Sequence, residues 1–245
     1  MNIGLYQSAA SLSALERWQD AVSQNIGSSQ VPGYRGRTVS FSAQDNGQFT
    51  METASGGAQP ASFPTATKGI NFKPGEMQPT GRSLDFSIQG NGFFKVQMAD
   101  GTQAYTRNGS FSERSDGTIV NSSNFPVLSD QGAPIVINPA QGPVTVTQDG
   151  TVSQGDTQLG RLSVTSFSNT GGLIPISGGL LLSSSSAGAA AADHPGVLQG
   201  YIESSNVSPL FEMVNLVQVS RAYEANQKVI SNADQRAQKT MDALG

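Results

Sequence analysis

The 245-residue chain has no cysteine, one histidine and one tryptophan, and only 13% of its residues are charged. Without cysteine it can form no disulfide, no thiolate zinc site and no thiol nucleophile. Net charge is −4 with no basic cluster, so the electrostatic footprint of a nucleic-acid-binding protein is missing. No apolar run reaches 18 residues, and no segment reads as a membrane span. The opening MNIGLYQSAASLSALERWQDAVSQN lacks a basic leader and a continuous apolar stretch, and it carries Glu16 and Asp20. It does not read as a cleavable secretory signal, so the expectation is a cytosolic chain or one that leaves uncleaved.

Catalytic chemistry is equally short of material. His194 sits beside Asp193 in a loop, and nothing resembles a nucleophile elbow. Asp100, Asp116 and Asp149 belong to Asp-Gly turns, where a backbone role explains them; Asp85 is the fourth acid considered for a carboxylate pair. GNG at 90–92 lies between strands rather than before a helix, so it is no phosphate cradle. The reading assigns no catalytic, cofactor-binding or metal-ligating residue, no cofactor and no small-molecule substrate.

What the chain does have is turn-rich β grammar, with 28 glycines and abundant serine. In SLDFSIQ, Leu84, Phe86 and Ile88 alternate onto one face. Asp-Gly at 100–101, 116–117 and 149–150, and Asn-Gly at 108–109, mark hairpin turns between short strands. The fold expected is mainly β with terminal helices: an antiparallel barrel or sandwich over 83–204. Its core would be Leu84, Phe86, Ile88, Phe94, Val96, Tyr105, Phe111, Val144, Val146, Leu162, Val164 and Phe167. Residues 36–82 read as an extended connector with one or two short strands, and 169–196 as a loosely packed surface loop of small residues.

Both ends read as helices. Over 3–26, Leu5, Leu12, Leu15, Trp18, Val22 and Ile26 share one side. The last helix begins at Ser208 as N-cap with Pro209 in the first turn, where a missing N–H costs nothing. Leu216, Tyr223, Ile230, Ala237 and Leu244 recur every seven residues, and Met213 and Met241 widen an apolar arc to roughly half the circumference. One neighbouring helix cannot cover such an arc. The expectation is that the stretches 1–35 and 205–245 pair with each other as a coiled-coil domain and bury the remainder against other protein molecules. Ser220, Gln227 and Asp234 interrupt the seam at the same spacing; such a stripe either lies near solvent or fixes the register of the seam.

The chain resembles the bacterial flagellar rod and hook axial proteins at three separated blocks in the right order. SQNIGSSQVPGYRGR carries Asn25, Pro32, Gly33, Tyr34 and Arg35 of the first signature. LDFSIQGNGFFKV, AYTRNGSF and DGTIV follow the core motif. IESSNVSPLFEMVNLVQVSRAYEANQKVIS matches through Asn206, Val207, Arg221, Ala222, Tyr223, Glu224 and Asn226. The resemblance implies a structural subunit of the periplasmic basal-body rod, exported uncleaved by the flagellar export apparatus. It implies partners among copies of the chain and other axial proteins, with the terminal helices forming the inner layer of a torque-transmitting tube. The length favours a proximal rod subunit. A distal rod or hook-type subunit is the alternative within the family. A carbohydrate-binding β module using Phe93, Phe94, Tyr105 and Phe111 is the alternative outside it.

Overall fold

The computed structural model describes residues 3–52, 58–192 and 194–242. The chain separates into two compact units, each assembled from distant stretches. The first takes the described parts of Met1–Gly27, Arg37–Ile70 and Ser208–Gly245; the second takes Ser28–Gly36 and Asn71–Val207.

The first unit contains helix α1 (Ile3–Ser28), strands β1 (Arg37–Glu52) and β2 (Ala58–Ile70), and helix α2 (Pro209–Asp242). Helix α2 starts where the sequence places it, with the Glu212 amide donating to the Ser208 carbonyl at 3.1 Å. Residues 37–70 differ from their sequence reading. They pair into one long antiparallel hairpin, with a register shift between Asn46 and Thr50. Val39, Phe41 and Ala43 alternate with Thr38, Ser40 and Ser42, which is strand patterning that the neighbouring Gly and Pro residues disguise. Pro64 is tolerated because it stands opposite Ala43 at a position that donates nothing to the ladder. A lone two-stranded hairpin is marginal in water. Helix α1 supports this one: the Trp18 and Phe41 rings meet edge to face at 5.6 Å, and Arg17 and Gln7 donate to the Ala66 and Ser62 carbonyls at 2.8 and 3.0 Å.

The second unit is β throughout. Its strands are β3 (Met77–Pro79), β4 (Phe86–Ile88), β5 (Phe93–Gln97), β6 (Gln103–Thr106), β7 (Ser112–Glu113), β8 (Ile119–Val120), β9 (Val144–Val146), β10 (Thr151–Gln154), β11 (Thr157–Arg161), β12 (Val164–Phe167), β13 (Leu173–Pro175), β14 (Leu180–Ser183), β15 (Ala189–Ala191), β16 (Val197–Gln199) and β17 (Tyr201–Glu203). All pairs are antiparallel; the largest sheet runs β13-β14-β6-β5-β12-β15, and β17 returns to pair with β3.

The core forms around Phe86, Ile88, Phe94, Val96, Phe111, Val144, Leu162 and Val164, with Leu84 and Val146 packed at its margin. Ile119, Val127, Ile135, Ile137, Val152, Leu180 and Val197 complete it. Three expectations need correction. Tyr105 and Phe167 leave the main core: strand alternation sends them to the opposite face, where their rings meet each other at 4.9 Å and Phe167 meets Phe93 at 5.6 Å. Asn108-Gly109 is not a hairpin turn. Gly109 is required because a Cβ there would collide with the Phe86 carbonyl, whose own amide donates to the Gly109 carbonyl at 2.9 Å. Residues 169–196 are not a loose loop: they supply β13, β14 and β15 to the large sheet and bury Leu180 in the core. The Gly, Ser and Ala residues around the short apolar runs Leu-Ile-Pro and Leu-Leu-Leu hid these strands from a periodicity search.

Candidate assembly surface

Helix α1 lays its apolar side inward. Leu15 and Val22 are buried, and Leu5, Leu12, Trp18 and Ile26 are half-buried. On α2, Val219 is fully buried, and Leu216, Ala222, Tyr223, Asn226 and Ile230 form a half-buried line beside it. Arg221 and Glu224 are exposed. The side chains of Ala237 and Met241, and Leu244 altogether, fall outside the described residues.

The two helices meet where α1 ends and α2 begins. The Asn25 side chain, 2% exposed, accepts from the Arg37 amide at 2.7 Å and donates to the Arg37 carbonyl and to Glu212 Oε1, each at 2.9 Å. One amide thus satisfies both main-chain groups of the first hairpin residue and holds the other helix.

The first three turns of α2 present a contrasting face. Leu210 is 68% exposed and Phe211 72%, while Met213, Val214 and Val217 are each about half exposed. Leu210, Val214 and Val217 fall within a sector of about 60° at 100° per residue. Met213 was among the sequence-predicted residues. The others were missed because the seven-residue repeat drew attention to the adjacent stripe; a helical wheel restricted to this end would have found them.

The three sequence blocks of the family motif come together inside the second unit. Arg35 from the first block and Arg107 from the second both reach Glu203 from the third, at 2.6 and 3.3 Å, with all three side chains at most 6% exposed. The Arg35 contact lies off the line of a hydrogen bond and acts as a close ion pair. Arg107 also donates to the carbonyls of Ile88 and Gly90 and lies over the Phe93 ring at 5.2 Å. Burial lowers the Arg107 pKa to about 10, against the opposing pull of Glu203 and with a smaller push from Arg35. Arg107 therefore stays a cation at neutral pH, and the cluster sets two guanidinium groups against one carboxyl group.

The surrounding backbone is tied to the same cluster. Gly33 donates to the Glu203 carbonyl at 2.7 Å. Its φ is +67°, and a Cβ there would run into the Arg107 main chain, so glycine is required twice over. Tyr34 is buried and Pro32 half-buried. Asn206 accepts from the Gly36 amide at 2.8 Å and donates to the Asn71 and Lys73 carbonyls at 2.8 and 2.7 Å, and the half-buried Val207 follows it. The motif residues of this unit are thus clamps and counter-ions for buried backbone, not a reactive centre. Among the described residues no group of three or more His, Asp or Glu could hold a metal, and His194 is exposed.

Helices with uncovered apolar surface, together with a β unit locked by buried clamps, define a structural protein built to sit among other subunits. Residues 87–154 match the family described as "Flagellar hook protein FlgE/F/G D1 domain", and residues 198–243 match "Flagellar basal body rod FlgEFG protein C-terminal". The chain is 32% identical over its whole length to the "Flagellar basal-body rod protein FlgF" of Caulobacter vibrioides, covering 99% of that protein, and 29% identical to the FlgF of Mesorhizobium japonicum at the same coverage. It is 37% identical to the "Flagellar basal-body rod protein FlgG" of Buchnera aphidicola subsp. Acyrthosiphon pisum, over 58% of each chain. The chain belongs to the flagellar basal-body rod family. It is a non-enzymatic, FlgF-like structural subunit of the rod and assembles with other rod subunits.

Proposed function

We propose that this chain is a proximal rod subunit, joining copies of itself and neighbouring axial proteins through its terminal helices to build a tube that transmits torque. In this reading the helices within 1–35 and 205–245 act together in assembly, with the 37–70 hairpin part of the same unit, and 83–204 lies within the β unit. The subunit reaches the periplasmic rod uncleaved, through the flagellar export apparatus. Similarity over the full length to FlgF proteins, against 58% coverage for FlgG, supports the proximal assignment.

The observation that carries the reading is the apolar face of α2. A monomeric soluble protein seldom leaves Leu210, Phe211, Met213, Val214 and Val217 open on one short segment. The predicted seam residues Leu216, Tyr223 and Ile230 flank this face and extend it once α2 is packed among other helices. Val217→Asp tests the reading: the β unit should melt as in the wild type while rod incorporation and motility are lost. A fully motile V217D strain would refute the assembly role of this face.

A further inference from the structure

The hairpin carries two edges, and they are not alike. Pro64 has no N–H, so its pair with Ala43 is a non-hydrogen-bonded one. Antiparallel ladders alternate, which puts Val39–Lys68, Phe41–Ala66 and Asp45–Ser62 in the same class. The main-chain groups of these residues therefore point away from the partner strand. The Asn25 bonds to both main-chain groups of Arg37, two residues before Val39, agree with that phase.

The β2 edge is closed. Arg17 takes the Ala66 carbonyl, Gln7 takes the Ser62 carbonyl, and Pro64 removes a donor between them. The β1 edge is closed only at Arg37, by Asn25. Beyond it, no described group outside the ladder bonds the main chain of Val39, Phe41, Ala43 or Asp45. Residues 38–44 contain no Lys, Pro or other charge to discourage pairing, the devices by which sheet edges are ordinarily protected. Phe41 remains 49% exposed despite its contact with Trp18.

We propose that the β1 edge from Val39 to Asp45 is a strand-addition site occupied by an extended segment of a second copy of this chain. The inference rests on the rod-subunit reading and deepens it. Area argues for a second contact between copies. Five large apolar residues stand open over the first turns of α2, well short of the roughly 20–30 residues a side of a standard interface. Main-chain pairing along four outward-facing positions, with a side chain laid over Phe41, adds both area and register.

The geometry supplies a clean test. Ala43→Pro deletes an N–H that points outward, so the hairpin should keep its melting temperature and circular dichroism, while incorporation into rods falls at least tenfold. Ser42→Pro, one residue away, deletes an inward N–H and should disrupt the hairpin itself. Ala43→Lys keeps the N–H and places a charge on the edge; it should also block incorporation, and it decides the matter if A43P proves unstable. Because the chain has no cysteine, Ala43→Cys in assembled rods can be mapped with a short bifunctional cross-linker, and one dominant site in a second copy is expected. Normal incorporation of A43P and A43K, or cross-links scattered without a preferred site, overturns the proposal. Normal rods from A43P and A43K together with failed rods from V217D would sink the strand edge alone and leave the rod-subunit reading standing.

Discussion

The two units of this chain handle apolar surface in opposite ways. In the β unit Phe86, Phe94 and Phe111 are at most 1% exposed, and their rings pack on one another at 5.3 to 5.9 Å. In the helical unit Leu210 and Phe211 stand about 70% exposed, and a strand edge with no charged residue over 38–44 is left open. A closed core is stable alone and needs no partner. A surface of this kind is completed by something outside the single chain. The difference separates residues that hold the subunit together from residues that join it to others, and substitutions should respect that boundary.

The largest effect is expected from Glu203→Ala. It leaves Arg35 and Arg107 as two buried cations without their counter-ion, a loss of about 3–5 kcal/mol. The urea midpoint of the β unit reports it, and a loss below about 1 kcal/mol would remove the ion cluster from the account. Gly117→Val comes next. Gly117 has φ +82°, and a Cβ would collide with the Ile137 carbonyl, so about 2–3 kcal/mol should be lost from the same unit; unchanged melting would refute the turn. Asn25→Ala moves the damage across the boundary. It strips three hydrogen bonds from the helical unit at about 1–3 kcal/mol. Helical circular dichroism should melt earlier while hydrogen-exchange protection of the β-unit amides stays put, and a joint loss of both signals would erase the distinction between the units.

The smallest effect concerns pH. Asp149 is exposed, and hydrogen bonds from the Thr147 and Thr151 hydroxyls hold its carboxyl down to about 2. A depressed folded value stabilises above the unfolded value, about 3.9, and that contribution disappears as pH falls through the folded one. Wild type should therefore exceed Asp149→Asn slightly at pH 7, and the gap should close between about pH 4 and pH 2. A gap that persists at pH 2 would contradict the assignment.

Much of this division was legible in the sequence. Alternation around Leu84, Phe86 and Ile88 located the core, and Ser208-Pro209 located the start of α2. The hairpin and the strands within 169–196 were not legible. Their apolar runs are short and set among Gly, Pro, Ser and Ala, which break the periodic signal that a longer strand would give. The Arg35–Glu203–Arg107 cluster was half legible: Arg35 stood in a recognised block, but nothing local tells that its counter-ion is the distant Glu203 or that Arg107 shares it. The α2 face was legible as a surplus of apolar surface, but the repeat picked out only the stripe through Leu216, Tyr223 and Ile230; the open residues Leu210, Phe211, Val214 and Val217 are confined to the first turns and form no long repeat.

The central claim, that the exposed start of α2 is covered by other subunits, can be tested most directly with Val214→Cys in this otherwise cysteine-free chain. Free subunit should react readily with a maleimide, and the same position in assembled rods should be protected by at least tenfold. Equal labelling in free subunit and rod would contradict the account.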